Sequence, residues 1–283
     1  MKRHILIPTD FSNNAYNALF YATRLFKNES CHFYLLNSFE KETSRLTSRV
    51  DIGKSEEVID ELFDKSQEQL TELMHSIVRD TEDYNHTFET VSSSKELIKE
   101  INFLIRGMSI DLVIMGTKGR TASLDVLLGS TTVRVIKRIK NAPLLVIPEE
   151  TSFEPPTKMG FATGFKHPYE EFEINSLKMM ANLNKTQIHI LHIQEVDKIS
   201  EDQKANWMHL KNSFEGLEID THWIQRGDSK TEVLTDFVFD NHIDMVAMIY
   251  YKYSFIKSLF RESIVKKIGL HPGIPFLMIP AST

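Results

Sequence analysis

The sequence predicts an α/β protein of two tandem doubly wound domains, each a parallel sheet with helices on both faces. Three observations carry this. Short apolar runs (ILI, FYLL, LVIM and LLVI in the first half) have the length of strands buried on both faces. Longer segments with helical spacing lie between them, and strands alternating with crossover helices form parallel sheets. The pattern then recurs in order. HILIPTDF (4–11) is echoed by KMGFATGF (158–165), and HFYLLNSF (32–39) by IHILHIQ (188–194). DLVIMG (111–116) matches DMVAMI (244–249), and APLLVIP (142–148) matches GIPFLMIP (273–280).

The duplicated unit places one domain at 1–148 and a second at 159–283. The linker between them, 149–158, reads EETSFEPPTK, where two prolines and acidic residues mark a boundary. After Asp10, Ser12 is positioned to cap a helix running to about Lys27, with Ala15, Ala18, Leu19, Ala22 and Leu25 on one side. Residues 55–78 place Ile59, Leu62, Phe63, Leu70, Leu73, Met74 and Ile77 at helical intervals. A third helix is expected from Lys95 to Arg106. A fourth starts near Ser130, with Val133, Ile136 and Ile139 inward and Arg134, Lys137, Arg138 and Lys140 outward. The second repeat is shorter by about twenty residues between its second and third strands, and its helix near 201–214 is brief.

Composition narrows the function classes. The chain has 283 residues, 41% hydrophobic and 25% charged, which is ordinary for a globular protein, and halves of roughly 140 residues can each bury a core. A net charge of −6 argues against binding duplex nucleic acid. The single cysteine, Cys31, excludes an internal disulfide and reads as a small buried hydrophobe. No run is apolar enough for a membrane span, and the start MKRHILIPTDF lacks a signal peptide's apolar region, so no membrane partner and a cytoplasmic location are expected. Sequons at Asn28, Asn85 and Asn184 are then chance matches. His32, His189 and His192 fall in predicted strands without ligand spacing to one another, so no metal site is expected. IGKS at 52–55 fails as a phosphate loop because Ser48 stands where the leading glycine is required.

The informative stretch is MGTKGRTASLDVLLGS, 115–130. Gly116 ends a predicted strand, Gly119 lies in the loop, and Gly129–Ser130 open a helix. Glycine lets backbone amides approach a ligand, and a helix start offers unpaired N–H groups and the positive end of the macrodipole. Together they describe a phosphate cradle, with the Ser130 hydroxyl as a further donor and Lys118 and Arg120 at the rim. The plainer reading is that the glycines only make turns and Ser130 only caps. Asp10, at the end of the first strand, suits a ribose hydroxyl; its plainer reading is a loop aspartate satisfied by nearby amides.

These glycines, with DLVIMG before them and PLLVIP after the helix, resemble the ATP-binding signature of the universal stress protein family. ILIPTDFS resembles that family's first strand. The likeness runs over nearly the whole chain as two tandem domains. It implies five strands per sheet in the order 3-2-1-4-5 and pairing of the two domains within the chain as a pseudo-dimer, with a homodimer of chains left open. It also implies a site for ATP, with Mg²⁺ left open. Pro8, Thr9 and Asp10 would lie near adenine and ribose, the backbone at Ser38 would meet the base, and Met115, Gly116 and Gly119 would line ribose and phosphate. Gly129, Ser130 and Thr131 would hold the phosphates. Two departures stand out: Asn37 where the family often has histidine, and Ser92–Ser94 in place of a glycine turn after the third strand.

The second repeat has lost the cradle. Ile249 replaces the first glycine, Arg261–Glu262 replace Gly129–Ser130, and Gly164 stands for Asp10. A carboxylate at the helix start repels an anion, so this repeat is expected not to bind ATP in the same way and to serve pairing or interaction. Its aromatic cluster, Tyr250, Tyr251, Tyr253 and Phe255, is either plain packing, a plug for the vacated cleft, or a partner surface. RGDSK (226–230) keeps a glycine turn after the third strand. The leading expectation is a nucleotide-binding stress-response or signalling protein with at most slow ATP hydrolysis. The alternatives are a protein-interaction module without nucleotide and an adenylate-transferring enzyme.

Overall fold

The computed structural model describes residues 2–47, 52–81, 85–117, 129–149, 151–194, 198–225, 230–251 and 274–282. The chain divides into two compact units, Met1–Glu149 and Glu150–Thr283. Among the described residues no helix is long and apolar enough to cross a membrane.

The first unit runs β1 (Arg3–Pro8), α1 (Asn13–Leu25), β2 (Cys31–Ser38), α2 (Glu40–Thr47), α3 (Ile52–Asp80), β3 (His86–Ser93), α4 (Leu97–Gly107), β4 (Leu112–Gly116), α5 (Ser130–Arg138) and β5 (Leu144–Ile147). Its strands lie in the order β3-β2-β1-β4-β5, and every pair is parallel. β1 is central: Ile5, Leu6 and Ile7 are fully buried because helices cover both faces. α1 packs with α3, and α4 with α5. β3, at the edge, alternates half-buried and exposed residues from His86 to Thr90 and is more covered toward Ser93.

The second unit repeats the plan with β6 (Lys158–Ala162), α6 (Glu171–Asn184), β7 (Gln187–Ile193), α7 (Glu201–Ser213), β8 (Ile219–Ile224), α8 (Lys230–Asp240), β9 (Met245–Tyr250) and β10 (Phe276–Pro280). Its order, β8-β7-β6-β9-β10, is again all parallel. The repeat extends to single hydrogen bonds. Asp111 accepts from His4 N at 2.8 Å, and Asp244 accepts from Lys158 N at 2.9 Å, each pinning the start of its unit's first strand.

Four details differ from the sequence reading. α2 was not foreseen, since its residues lack an apolar stripe. α3 is longer than expected, and Phe63 is 42% exposed rather than inward. In α5 it is Val135 that is fully buried, with Ile136, while Val133 is only half-buried. β3 extends through Ser92 and Ser93, so two of the three serines belong to the strand and not to a turn.

Candidate nucleotide crevice

β1 is bonded to β2 on one side and to β4 on the other, so the winding reverses there, and in open parallel sheets ligands bind beyond the carboxyl ends of the strands at such a point. Pro8 ends β1, and Thr9 N donates to Leu36 O at 2.8 Å. Phe11 then turns with a positive φ of 61°. Three side chains hold this turn. Thr9 Oγ1 accepts from Phe11 N at 3.0 Å, Asp10 Oδ1 accepts from Ser12 N at 3.2 Å, and Ser12 Oγ accepts from Ala15 N at 3.2 Å, capping α1. Asn37, buried in β2, donates from Nδ2 to Thr9 O at 2.9 Å and accepts the Ser66 hydroxyl at 2.9 Å. The loop carrying Pro8, Thr9 and Asp10 is therefore fixed from within the sheet.

On the other wall, Met115 is buried and Gly116 has no room for a side chain. A Cβ there would lie 2.2 Å from Asn14 Oδ1 and 2.9 Å from Asn14 O. Packing against α1 alone thus requires glycine at this position. Gly116 O accepts from Thr132 Oγ1 at 3.0 Å, and Gly129 N donates to Thr117 O at 2.6 Å, which seats the start of α5 against the end of β4. The N-cap is Gly129, with φ −62° and no side chain to bond the first turn. The amides of Ser130, Thr131 and Thr132 have no intrahelical acceptor at such a start. No acidic residue sits in the first turn, while Lys137 and Arg138 lie in the last, so no carboxylate of the helix's own first turn offsets its positive end. α1 and α7 differ, each being capped by a serine of its own, Ser12 and Ser200.

Ser130 is exposed and Thr131 half-buried. Lys41 on α2 reaches over with Nζ 3.5 Å from Thr131 Oγ1. Sequence reasoning missed this lysine because it stands in a helix with no motif, far along the chain from the residue it meets. Ser38, at the end of β2, donates its hydroxyl to Lys95 O at 2.7 Å. Of the predicted site residues, Gly119 lies outside the described residues, as do the rim cations Lys118 and Arg120; the others stand at the carboxyl ends of β1, β2 and β4 or at the start of α5.

In the second unit the corresponding turn is packed with aromatic side chains. Thr163 N donates to Leu191 O at 3.0 Å, and Phe165 has a positive φ of 53°, so the turn after β6 copies the turn after β1. His192 takes the role of Asn37, its Nδ1 lying 2.9 Å from Thr163 O. Phe165 is fully buried and stacks on the His192 ring at 4.7 Å. Trp223 meets His192 edge-on at 5.3 Å, and Trp207 meets Trp223 edge-on at 5.1 Å. From α7, Gln203 Nε2 donates to Gly164 O at 2.7 Å and Asn206 Nδ2 to Phe165 O at 2.9 Å. At the start of α6 the buried Glu173 accepts from Glu170 N and Ser282 N, and burial holds its carboxyl above the ordinary range. Of the predicted aromatic cluster, Tyr250 and Tyr251 are half-buried, with Tyr251 against His167 at 4.5 Å. Tyr253 and Phe255 lie outside the described residues, as do Arg261, Glu262 and the turn at 226–229. Cys31 is fully buried, and burial pushes its thiol up to about 12, far from a reactive thiolate.

The sequence model of the Universal stress protein family matches residues 1–148. Universal stress protein MJ0577 of Methanocaldococcus jannaschii is 30% identical over 160 residues, spanning 54% of this chain and 98% of that protein. A solved universal stress protein from Archaeoglobus fulgidus superposes with a TM-score of 0.66 at 17% identity, covering 99% of this chain and 96% of the other. The cytoplasmic domain of a prokaryotic cation chloride cotransporter gives 0.56 at 8% identity, with 99% and 96% covered. The two structural likenesses speak for the fold alone, and the second shows how different a setting that fold can serve.

Proposed function

The chain belongs to the universal stress protein family, and from that premise we propose that its first unit binds a nucleoside triphosphate, ATP, beyond the carboxyl ends of β1 and β4, as a sensing or signalling device. The single observation behind this reading is the open start of α5: a side-chain-free cap, no acidic residue in the first turn, and backbone amides beside the end of β4. Such a start favours a phosphate group through hydrogen bonds and the helix dipole together. Gly129, Ser130 and Thr131 would hold phosphate, and Lys41 would add charge beside Thr131. Pro8, Thr9 and Asp10 would flank ribose and adenine, Ser38 would offer backbone to the base, and Met115, Gly116 and Gly119 would line ribose and phosphate. Mg²⁺ would travel with the phosphates, and Asp10 is the carboxylate on the β1 side of this crevice. Binding and not turnover is the output; hydrolysis is slow at most.

The second unit, in this reading, binds no nucleotide and serves as a pairing or interaction partner. Its turn carbonyls are already bonded to α7, and the ring of Phe165 is buried against His192. A second reading, an interaction module with an empty crevice throughout, draws support from Gly116, whose missing side chain is explained by Asn14 without any ligand.

Titration calorimetry with the full chain separates the two. Gly129→Glu keeps a backbone conformation open to any residue, since φ is −62°, yet puts a carboxylate at the amides. Loss of ATP affinity by about a hundredfold or more in a folded variant is expected. Equal affinity in wild type and variant removes the start of α5 from the site, and no affinity in wild type leaves the interaction module standing.

A further inference from the structure

The face of the second sheet next to α8 carries a cluster that the crevice does not use. His189 on β7 lies opposite Asp220 on the edge strand β8, and Leu191 lies opposite His222. Alternate residues of a strand share a face, so Asp220 and His222 project beside His189. One ligand atom from each of the three lies within 4.8 Å of the others. His189 Nδ1 and His222 Nε2 are 2.9 Å apart, and their rings stack at 5.1 Å. His189 is 6% exposed, His222 half-buried and Asp220 exposed. Gln187 Nε2 donates to Asp220 Oδ2 at 2.9 Å, and the Phe237 ring of α8 lies 4.8 Å from His222.

We propose that His189, His222 and Asp220 form a binding site for a divalent transition-metal ion of the zinc type, with the remaining coordination position open to water. Two imidazole nitrogens and one carboxylate oxygen are the donors that zinc and its neighbours in the first transition row prefer, whereas Mg²⁺ and Ca²⁺ take oxygens. Metal–nitrogen bonds of about 2.0–2.1 Å in a tetrahedral array put two nitrogens about 3.3 Å apart. The imidazole pair therefore needs to open by only a few tenths of an ångström. Burial holds each imidazole below its ordinary range and His222 pushes His189 further down, while Asp220 pulls both the other way. Gln187 fixes one carboxylate oxygen and so orients the other, and Phe237 walls one side against water; outer groups of this kind raise the affinity of a metal site.

Without metal, the same contact is one N–H···N bond between two rings, with His189 Nε2 buried and lacking a hydrogen-bond partner among the described residues. Binding moves the shared proton to an outer ring nitrogen, and the hydrated ion exchanges bound waters for two imidazole nitrogens and one carboxylate oxygen. His189 then carries its proton on the buried Nε2, a cost that keeps the ion exchangeable with chelators.

The test uses the tag-free full chain stripped of metal with a chelator. One equivalent of Zn²⁺ is expected by calorimetry, and Co²⁺ is expected to give the intense visible absorption of a four-coordinate site. His222→Gln, checked for folding by tryptophan fluorescence, should weaken Zn²⁺ binding about a hundredfold, and the exposed Asp220→Asn about tenfold. His209→Gln, an exposed histidine on α7, should change nothing. No saturable Zn²⁺ binding by the wild-type chain, or unchanged affinity in His222→Gln, overturns the site.

Discussion

In the first unit Thr9 N bonds Leu36 O, and in the second Thr163 N bonds Leu191 O; both turns then pass through a phenylalanine at positive φ, Phe11 and Phe165. The carbonyl of each threonine is held from the next strand, by Asn37 in one and His192 in the other. Up to that point the repeats are one structure. They part at the ring: Phe11 is half-buried, and Phe165 is wholly buried against His192. α7 then locks the second turn through Gln203 and Asn206, whereas the first turn is held by its own Thr9, Asp10 and Ser12 together with Asn37 of β2. The comparison teaches that main-chain hydrogen bonds maintain the turn in both copies. What differs is the side chains placed above it: Phe165 of the second copy is buried against His192, and in the proposed reading the first copy leaves that place to a ligand.

The difference can be attacked from the filled side first. Phe165→Ala removes a fully buried ring and should destabilise the second unit by about 3–5 kcal/mol. Both tryptophans of the chain, Trp207 and Trp223, stand in that unit, so denaturant unfolding followed by tryptophan fluorescence reads it directly. Nucleotide affinity should stay at the wild-type value. A loss of affinity equal to that of Gly129→Glu would mean that the second unit helps form the site.

On the open side, Gly116→Ala forces a methyl group into Asn14 and should cost about 1–3 kcal/mol of stability. Pairing it with Asn14→Ala should restore much of that loss in a double-mutant cycle. If the double variant regains stability and still binds nucleotide, Gly116 serves packing; if it regains stability without binding, the glycine is also needed by the ligand.

Lys41→Ala is a smaller change. An exposed ammonium beside Thr131 should contribute about two- to fivefold in nucleotide affinity at low salt, and less as ionic strength rises. Equal affinity at low salt would remove Lys41 from the site without touching the helix start.

The least perturbing test is pH. Burial holds His189, His192 and His222 below the ordinary imidazole range in the second unit, and His86 in the first. The unfolded chain then takes up protons that the folded one refuses. This contribution is whole above the unfolded value of about 6.5 and is lost as pH falls through it toward the lowered folded values. Tryptophan-detected stability should therefore fall between pH 7 and 5. Glu173, whose carboxyl is raised, works in the opposite direction and blunts the decline at the acid end. A stability that rises steadily on acidification would contradict the assigned burial of the histidines.

Much of the fold was legible because strands buried on both faces must be apolar throughout, as Ile5–Ile7 and Leu112–Ile114 are. The Ser12 cap was legible for a local reason, a hydroxyl reaching Ala15 N within one turn. What escaped the sequence is assembled across elements. Phe165, His192, Trp207 and Trp223 come from a loop, two strands and a helix, and no spacing announces their meeting. His189 and His222 become neighbours only through the register of β7 with β8. Lys41 meets Thr131 only because α2 forms. At Gly116 the residue type was readable, but one of its causes was not, since the contact with Asn14 lies on another element.

Stoichiometry addresses the contrast between the two copies most directly. Calorimetric titration of ATP into the intact wild-type chain should give one site per chain, and the nucleotide released on denaturation, measured by mass spectrometry, should not exceed one per chain. Two equivalents, or none, would contradict a crevice that is open in one repeat and closed in the other.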